Sequence, residues 1–463
     1  MTGDATTEAE SGGRVASVVA AARSAGAELA DADERRVSTV IDAVGEALAA
    51  PETVARFGRL AAEETGRGHP GAKGEKIATA VDGARRDVRA ESTVGIVDRD
   101  DRTGTLTVAR PVGVVGTAVP ATHPVVVPAV ISLFALAGRN PVVFAPSPST
   151  VETCDVVVGT IREALADVGV PPDLVSTVPA PASKPGTDSL FESVEMVCAP
   201  GSAATVAAGQ RCGTPNACTS ADELVAVADG TVPAAEVATN VAVGATYDFG
   251  AHPAADAALV TTRDAHDDVV SELRSEGGYV PTERETDRLR TLVAREGTTP
   301  EAAHGCSPRW LTAEIDVRPD GRTAAFLVVE PVDRDDPLAT LPGIPAVAIH
   351  ERDGFGSALS LAADLGGSHA AAIHTTRQRR VKRAAERLRV GRLVVNQPGT
   401  ATVGSPQNGF AVAPMLGGGA DERSELAGGL TVDDFVETTA VSTDVEPLDP
   451  IDGRGVNETW RGP

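Results

Sequence analysis

The feature that most constrains this chain is a nearly unbroken apolar run, Val112 to Val119, followed by a regular alternation of helix and strand patterns. Such a run of β-forming residues fits a strand buried on both faces. After it come a helix pattern over Val125 to Leu136, a strand over Pro141 to Phe144, a helix over Val151 to Ala166, and strands over Leu174 to Val178 and Glu195 to Cys198. Strand and helix in alternation predict right-handed βαβ crossovers and a parallel sheet. A second series begins near Asp222, with strands expected over Ala257 to Thr261, Ala324 to Val329, Ala346 to Ile349, Ala371 to His374 and Leu393 to Val395. At 463 residues the chain exceeds what one core normally supports, so two lobes are expected. The fold class is α/β: a doubly wound, dinucleotide-binding type of parallel sheet over 14–221, then a second α/β domain over 222–397. No GxGxxG follows any strand, so the usual dinucleotide fingerprint is absent.

The flanks read differently. Gly13 to Arg89 has helical spacing, with Val15, Val18, Val19 and Ala22 on one stripe and Val37, Ile41, Val44 and Leu48 on another. Ser92 to Val108 switches to period two around an aspartate-rich turn and predicts a hairpin. Residues 1–13 are acidic and rich in small residues, which predicts a disordered tail with no signal-peptide pattern. Residues 398–443 read as a C-terminal return segment with a glycine loop at Gly417 to Gly419, and 444–463 as a loosely ordered acidic tail. Val125 to Gly138 is too short for the roughly 20 residues of a membrane helix and reads as buried structure. Arg377 to Arg389 is a basic helix, read as a solvated or inter-subunit face ahead of an anion site.

The chain carries 65 acidic against 41 basic residues, a formal charge of -24. Self-repulsion of that size is relieved where concentrated salt screens exposed charges, which predicts a high-salt cytoplasm; an ordinary acidic protein is the alternative. Nucleic acid and anionic membrane, both polyanions, are excluded as partners. Five scattered cysteines, Cys154, Cys198, Cys212, Cys218 and Cys306, without any CxxC, point to free thiols.

Several short stretches, ordered along the chain, resemble the CoA-acylating branch of the aldehyde dehydrogenase superfamily, including the aldehyde dehydrogenase half of bifunctional alcohol/aldehyde dehydrogenases. They are Glu63-Glu64-Thr65-Gly66, the hairpin from Ser92 to Val97, Ala109 to Val115, Pro120-Ala121-Thr122-His123-Pro124, Arg139-Asn140-Pro141 through Pro148, Thr246-Tyr247-Asp248-Phe249-Gly250 and Val395-Asn396-Gln397-Pro398. The resemblance spans Val15 to Ser442. It implies an NAD(P)-dependent oxidoreductase that converts aldehyde and CoA to acyl-CoA, with NAD or NADP and CoA as cofactors and a homo-oligomeric state. It also implies cofactor contacts at Pro120, Thr122, Ala145, Pro146, Ser147, Gly201 and Ser202. A strand feeding a Gly-Ser helix start also suits a phosphate, although on the local sequence alone a plain N-cap is the commoner use of such a start.

The catalytic positions depart from the family. Read in register from Gly250, Pro253 takes the place of the nucleophilic cysteine, and a slip of one residue brings in His252, not a thiol. His123 replaces the asparagine that helps hold the oxyanion. The segment Pro337 to Pro345, where the family carries a glutamate, has no carboxylate, and Glu330 is at best a shifted stand-in. Thiolate chemistry needs sulfur as nucleophile and leaving group, so thiol-dependent acylation is expected to be lost. Cys198 is the best displaced thiol by position, but a buried cysteine is usually inert. His123 and His252 together supply two imidazoles and no third ligand, so no metal is expected. Two rival readings stand beside this one: a non-catalytic nucleotide- or acyl-CoA-binding scaffold, and an enzyme in which His123 or His252 promotes hydride transfer.

Overall fold

A computed structural model describes residues 2–101, 103–220, 223–294, 303–317, 324–367, 369–405, 407–417 and 428–442, with side chains from Gly12 onward. Four helices open the chain: Thr2–Leu29, Glu34–Ala49, Pro51–Thr65 and Pro70–Ala90. The first runs back over 2–13, which corrects the expectation of a disordered tail there. Alanine and glutamate favour helix, and adding residues to an existing helix avoids a second nucleation step. Gly418 and Gly419 of the expected glycine loop, and the acidic end from Asp444, lie outside the described residues.

The hairpin forms as β1 (Gly95–Asp100) against β2 (Thr105–Pro111). Next comes a five-stranded parallel sheet made of β3 (Val115–Val119), β4 (Val142–Pro146), β5 (Val175–Thr177), β6 (Met196–Gly201) and β7 (Asn216–Ser220). Their spatial order is β5-β4-β3-β6-β7. Burial on both faces explains the apolar run: Val114, Ala118, Val143 and Val197 face one core, while Val115, Val119, Val142 and Phe144 face the other. Helix Val126–Ala137 is buried along its whole length, as its sequence anticipates. Among the described residues no helix is long and apolar enough to cross a membrane.

The second sheet has seven parallel strands: β8 (Leu224–Ala228), β9 (Asp256–Thr262), β10 (Gly278–Tyr279), β11 (Phe326–Val329), β12 (Ala346–Arg352), β13 (Ala370–His374) and β14 (Arg392–Val395). They lie in the order β10-β11-β12-β9-β8-β13-β14. A last strand, β15 (Val436–Ser442), leaves the return segment and pairs antiparallel with β2, so the hairpin becomes a three-stranded sheet. The basic helix spans Gln378–Leu388; it buries Ala384 and Leu388 and leaves Arg379, Lys382, Arg383 and Arg387 exposed.

Candidate functional site

In the first sheet the chain leaves β3 for β4 on one side and later returns to place β6 on the other. The point where the strand order reverses is therefore between β3 and β6, and ligands of open α/β sheets bind in the crevice beyond the carboxyl ends of the strands there. Pro120 and Thr122 follow β3, Ala145 and Pro146 end β4 with Ser147 just beyond, and Gly201 ends β6 with Ser202 next. The structure thus brings all seven expected cofactor positions to one sheet edge.

The helices that follow β4 and β6 at that edge differ. Helix Val151–Asp167 has its first N–H groups taken by Glu64, which accepts from Glu152 N at 2.9 Å and Thr153 N at 2.8 Å. Helix Ala203–Arg211 has no such carboxylate among the described residues. Its N-cap Ser202 accepts from Thr205 N at 3.3 Å, while Ser202, Ala203 and Ala204 are exposed, and Gly201 adopts φ 150°. Of the two, only the Gly201-Ser202 start keeps backbone N–H groups open to an anion.

The catalytic-type loop comes from the second lobe. It leaves helix Ala234–Thr246 through Asp248 (φ 52°), Phe249 (φ 56°) and Gly250 (φ 76°) and reaches β9 at Asp256. Left-handed backbone at two non-glycine residues is costly, and here tertiary anchors hold it. Asp248 accepts from His69 N–H at 2.9 Å, Lys76 Nζ at 2.7 Å and Lys73 Nζ at 3.2 Å, all from the start of helix Pro70–Ala90. Burial alone would raise the Asp248 carboxyl; Lys76 and Lys73 override it and hold it below the usual carboxylate range. Burial and the neighbouring Lys76 lower the Lys73 ammonium to about 8.

His252 and His123 meet edge to face, ring centroids 5.8 Å apart, each 6% exposed. Tyr247 also meets His252 edge to face, with ring centroids 5.6 Å apart. Burial, with Lys76 next, drives both imidazoles toward the neutral form: His252 falls to about 3 and His123 goes well below its ordinary value. Pro253 is half-buried, and its carbonyl accepts from His369 Nε2 at 3.3 Å, just before β13.

The segment expected to carry the family's glutamate does reach this place. Ile344 backbone abuts Gly250, and Gly343 abuts His304, so the carboxylate-free stretch lies against the loop. Glu330, by contrast, is no stand-in for that glutamate: it follows β11 with a side chain 54% exposed, 3.9 Å from His266. Of the thiols, Cys306 lies near this place, since its chain neighbour Gly305 packs on Ala251 of the loop. Cys198 lies within β6, fully buried, and burial pushes its thiol far up; Cys306 is buried and raised to about 12. Cys154 and Cys218 are buried in the first lobe, and Cys212 closes helix Ala203–Arg211, its Sγ 2.9 Å from Gly209 O. Among the described residues no group of three or more His, Cys, Asp or Glu side chains is arranged to hold a metal.

The model of the aldehyde dehydrogenase family matches residues 4–274, more than half of the chain. The chain belongs to the aldehyde dehydrogenase family. A relative in that family, the acylating sulfoacetaldehyde dehydrogenase of Cupriavidus necator, is 30% identical over 439 residues, which are 93% of this chain and 89% of the relative. An acetylating aldehyde dehydrogenase from Geobacillus thermoglucosidasius superposes with a TM-score of 0.90 at 22% identity, covering 96% of this chain and 99% of that one. Propionaldehyde dehydrogenase of Rhodopseudomonas palustris with bound propionyl-CoA gives 0.85 at 23%, covering 93% and 94%. These two structures speak for the fold alone, and they confirm the α/β aldehyde dehydrogenase architecture.

Reading the sequence missed Lys73, Lys76 and His369 as parts of this site. The lysines had a usable signal: the chain has four in all, and two of them sit three residues apart in one helix, on the same face.

Proposed function

We propose that this aldehyde dehydrogenase family protein binds a nicotinamide dinucleotide and an aldehyde or acyl-CoA ligand in the cleft at Pro253, and that it does not run thiol-dependent acyl transfer. The observation that carries the reading is Pro253 itself, at the turn into β9 with its carbonyl tied to His369, where the family motif calls for sulfur. The open helix start at Gly201-Ser202 suits the pyrophosphate of NAD or NADP, and the backbone of Ala145, Pro146 and Ser147 would flank its ribose. Bound there, the cofactor would supply a hydride acceptor. Kinship to acylating enzymes supports CoA as the second ligand.

His123 replaces an amide with a neutral imidazole, which donates one hydrogen bond and keeps the capacity to polarise a carbonyl oxygen. Pro253 has no group that can form the thioester. Calorimetry with NAD, NADP and CoA tests the binding half: binding of at least one is expected, and failure of all three would favour a scaffold role. NADH formation from short aldehydes, CoA and NAD in molar salt tests the other half. Background rates are expected; turnover on the order of 1 to 1,000 per second would overturn the loss of acylation. Turnover abolished by Cys198→Ala or Cys306→Ala would identify a displaced thiol.

A further inference from the structure

A cavity of about 210 Å³ opens at the amino edge of the first sheet, at the opposite ends of β3, β4 and β6 from the cofactor positions. Val114 leads into β3, Pro141 into β4 and Glu195 into β6, and the first helix covers them with Gly26 and Ala27. The walls are mostly apolar, and Arg23 and Ala27 stand exposed at the rim. A cavity of roughly 150 Å³ already holds a benzene ring, so the space admits a small organic molecule.

The charges around this cavity do not balance. Glu195 is already engaged: its Oε1 accepts from Arg23 Nη2 at 2.6 Å and its Oε2 from Val114 N–H at 2.8 Å. Arg139 also lines the cavity and is 8% exposed. Its Nη1 donates to Ala30 O at 2.7 Å and its Nη2 to Ala109 O at 3.1 Å, both neutral carbonyls, while Nε has no partner among the described residues. The carboxylate that acts on Arg139 is Asp31, from beyond ion-pair distance and from an exposed position. Burial disfavours the guanidinium charge, yet such a group keeps its proton in a folded protein. Buried cations are nearly always paired, and a spare N–H shut off from bulk water calls for an acceptor. The cavity supplies the room for one, and the surplus positive charge selects an anion.

We infer that this cavity binds a small organic carboxylate, with its carboxyl group at the Arg139 guanidinium and its hydrocarbon body against Ala27 and Pro141. A planar guanidinium matches a carboxylate in shape as well as charge. The site goes beyond the proposed function. It shares no residue with the cleft at Pro253 or with the Gly201-Ser202 helix start, and it stands whether or not a dinucleotide binds.

Potassium benzoate and neutral benzamide, titrated calorimetrically into the full chain at fixed ionic strength, test the site. Benzoate is expected to bind at least about tenfold more tightly than the amide, the size of one charge-assisted hydrogen bond. Ala27→Phe, at an exposed rim position, should block the mouth and weaken benzoate by at least about tenfold. Arg139→Gln should equalise the two ligands. Because Arg139 also ties the end of the first helix to β2, the wild-type chain gives a reading that needs no variant to fold: NOEs between the benzoate ring protons and the Ala27 methyl group. Equal binding of benzoate and benzamide, no binding of either, benzoate undiminished by Ala27→Phe, or absence of those NOEs would overturn the site. Displacement of benzoate by NAD, NADP or CoA would overturn it too, by putting the acid in the dinucleotide crevice. Failure of all three to bind, with the benzoate preference intact, sinks only the proposed function.

Discussion

Two aspartates bracket the loop that holds Pro253, and their surroundings leave them in opposite states. Asp248, at the first end, is surrounded by partners: two ammoniums and a backbone N–H. Asp256, the first residue of β9, is 2% exposed and has one partner, Gly399 N–H at 3.0 Å on Oδ2, while Oδ1 has none among the described residues. Burial pushes the Asp256 carboxyl up to about 7, against the weaker pull of the Gly399 bond. Both carboxylates press on a glycine, Gly68 for the first and Gly244 for the second, where a methyl group would overlap an oxygen. Equal burial therefore gives one acid that stays ionised and one that still holds much of its proton near neutrality, and the number of partners decides which.

The sharpest way to break this contrast is Asp248→Leu, which strands two buried ammoniums. Unfolding by denaturant should show a loss of about 3 to 5 kcal/mol, the usual consequence of removing one side of a buried ion pair. A loss below about 1 kcal/mol would mean that the lysines find other partners and that the loop is anchored elsewhere.

Asp256→Asn addresses the other end. A carboxyl whose folded pKa is raised to about 7 keeps its proton in the folded state after the unfolded chain has lost it near 3.9, so stability falls as pH climbs through that window and levels off above it. The Asn variant should lose this slope and exceed the wild type at pH 8 by an amount on the order of a few kcal/mol. Asp248 acts in the opposite sense: its folded pKa is depressed, so its contribution is present above the unfolded value near 3.9 and is lost as pH falls further. The two windows adjoin without overlapping, and unfolding curves from pH 2 to 8 separate them.

Gly68→Ala and Gly244→Ala should each cost about 1 to 3 kcal/mol by overpacking, with Gly68 the worse because its φ of 74° also opposes a side chain. Equal and negligible losses in thermal unfolding would show that the carboxylates are free to move aside. The smallest effect calibrates the others from outside the loop: Ser202→Ala removes one cap and should cost roughly 1 kcal/mol.

Much of the frame was legible because burial on two faces writes itself as continuous apolar sequence: β3, β4, β9, β12 and β13 all read that way. Strands with polar or mixed composition escaped. β7 is Asn-Ala-Cys-Thr-Ser, and β15 is Val-Glu-Thr-Thr-Ala-Val-Ser with a side exposed to solvent, so neither has an apolar run to announce it. The first residues of the chain look like a tail by composition and become helix by continuity with the amphipathic stretch from Arg14 to Leu29. In the site, the motif around Asp248 was readable, but its lysines lie 172 and 175 residues away in sequence, and no local pattern links them. The isolation of Asp256 depends on Gly244 and Gly399, which only the fold brings together.

The order β1-β2-β15 has a consequence for how the protein is made. β2 is the central strand of its sheet, yet the strand that covers its second edge is encoded more than three hundred positions later, Arg110 and Glu437 being 327 residues apart across their 2.8 Å contact. At translation speeds of about 5 to 20 residues per second, that edge would wait roughly 15 to 65 s on the ribosome with its hydrogen-bonding groups uncovered. During that interval the nascent hairpin presents a template to any stray strand, including its counterpart on a neighbouring polysome chain.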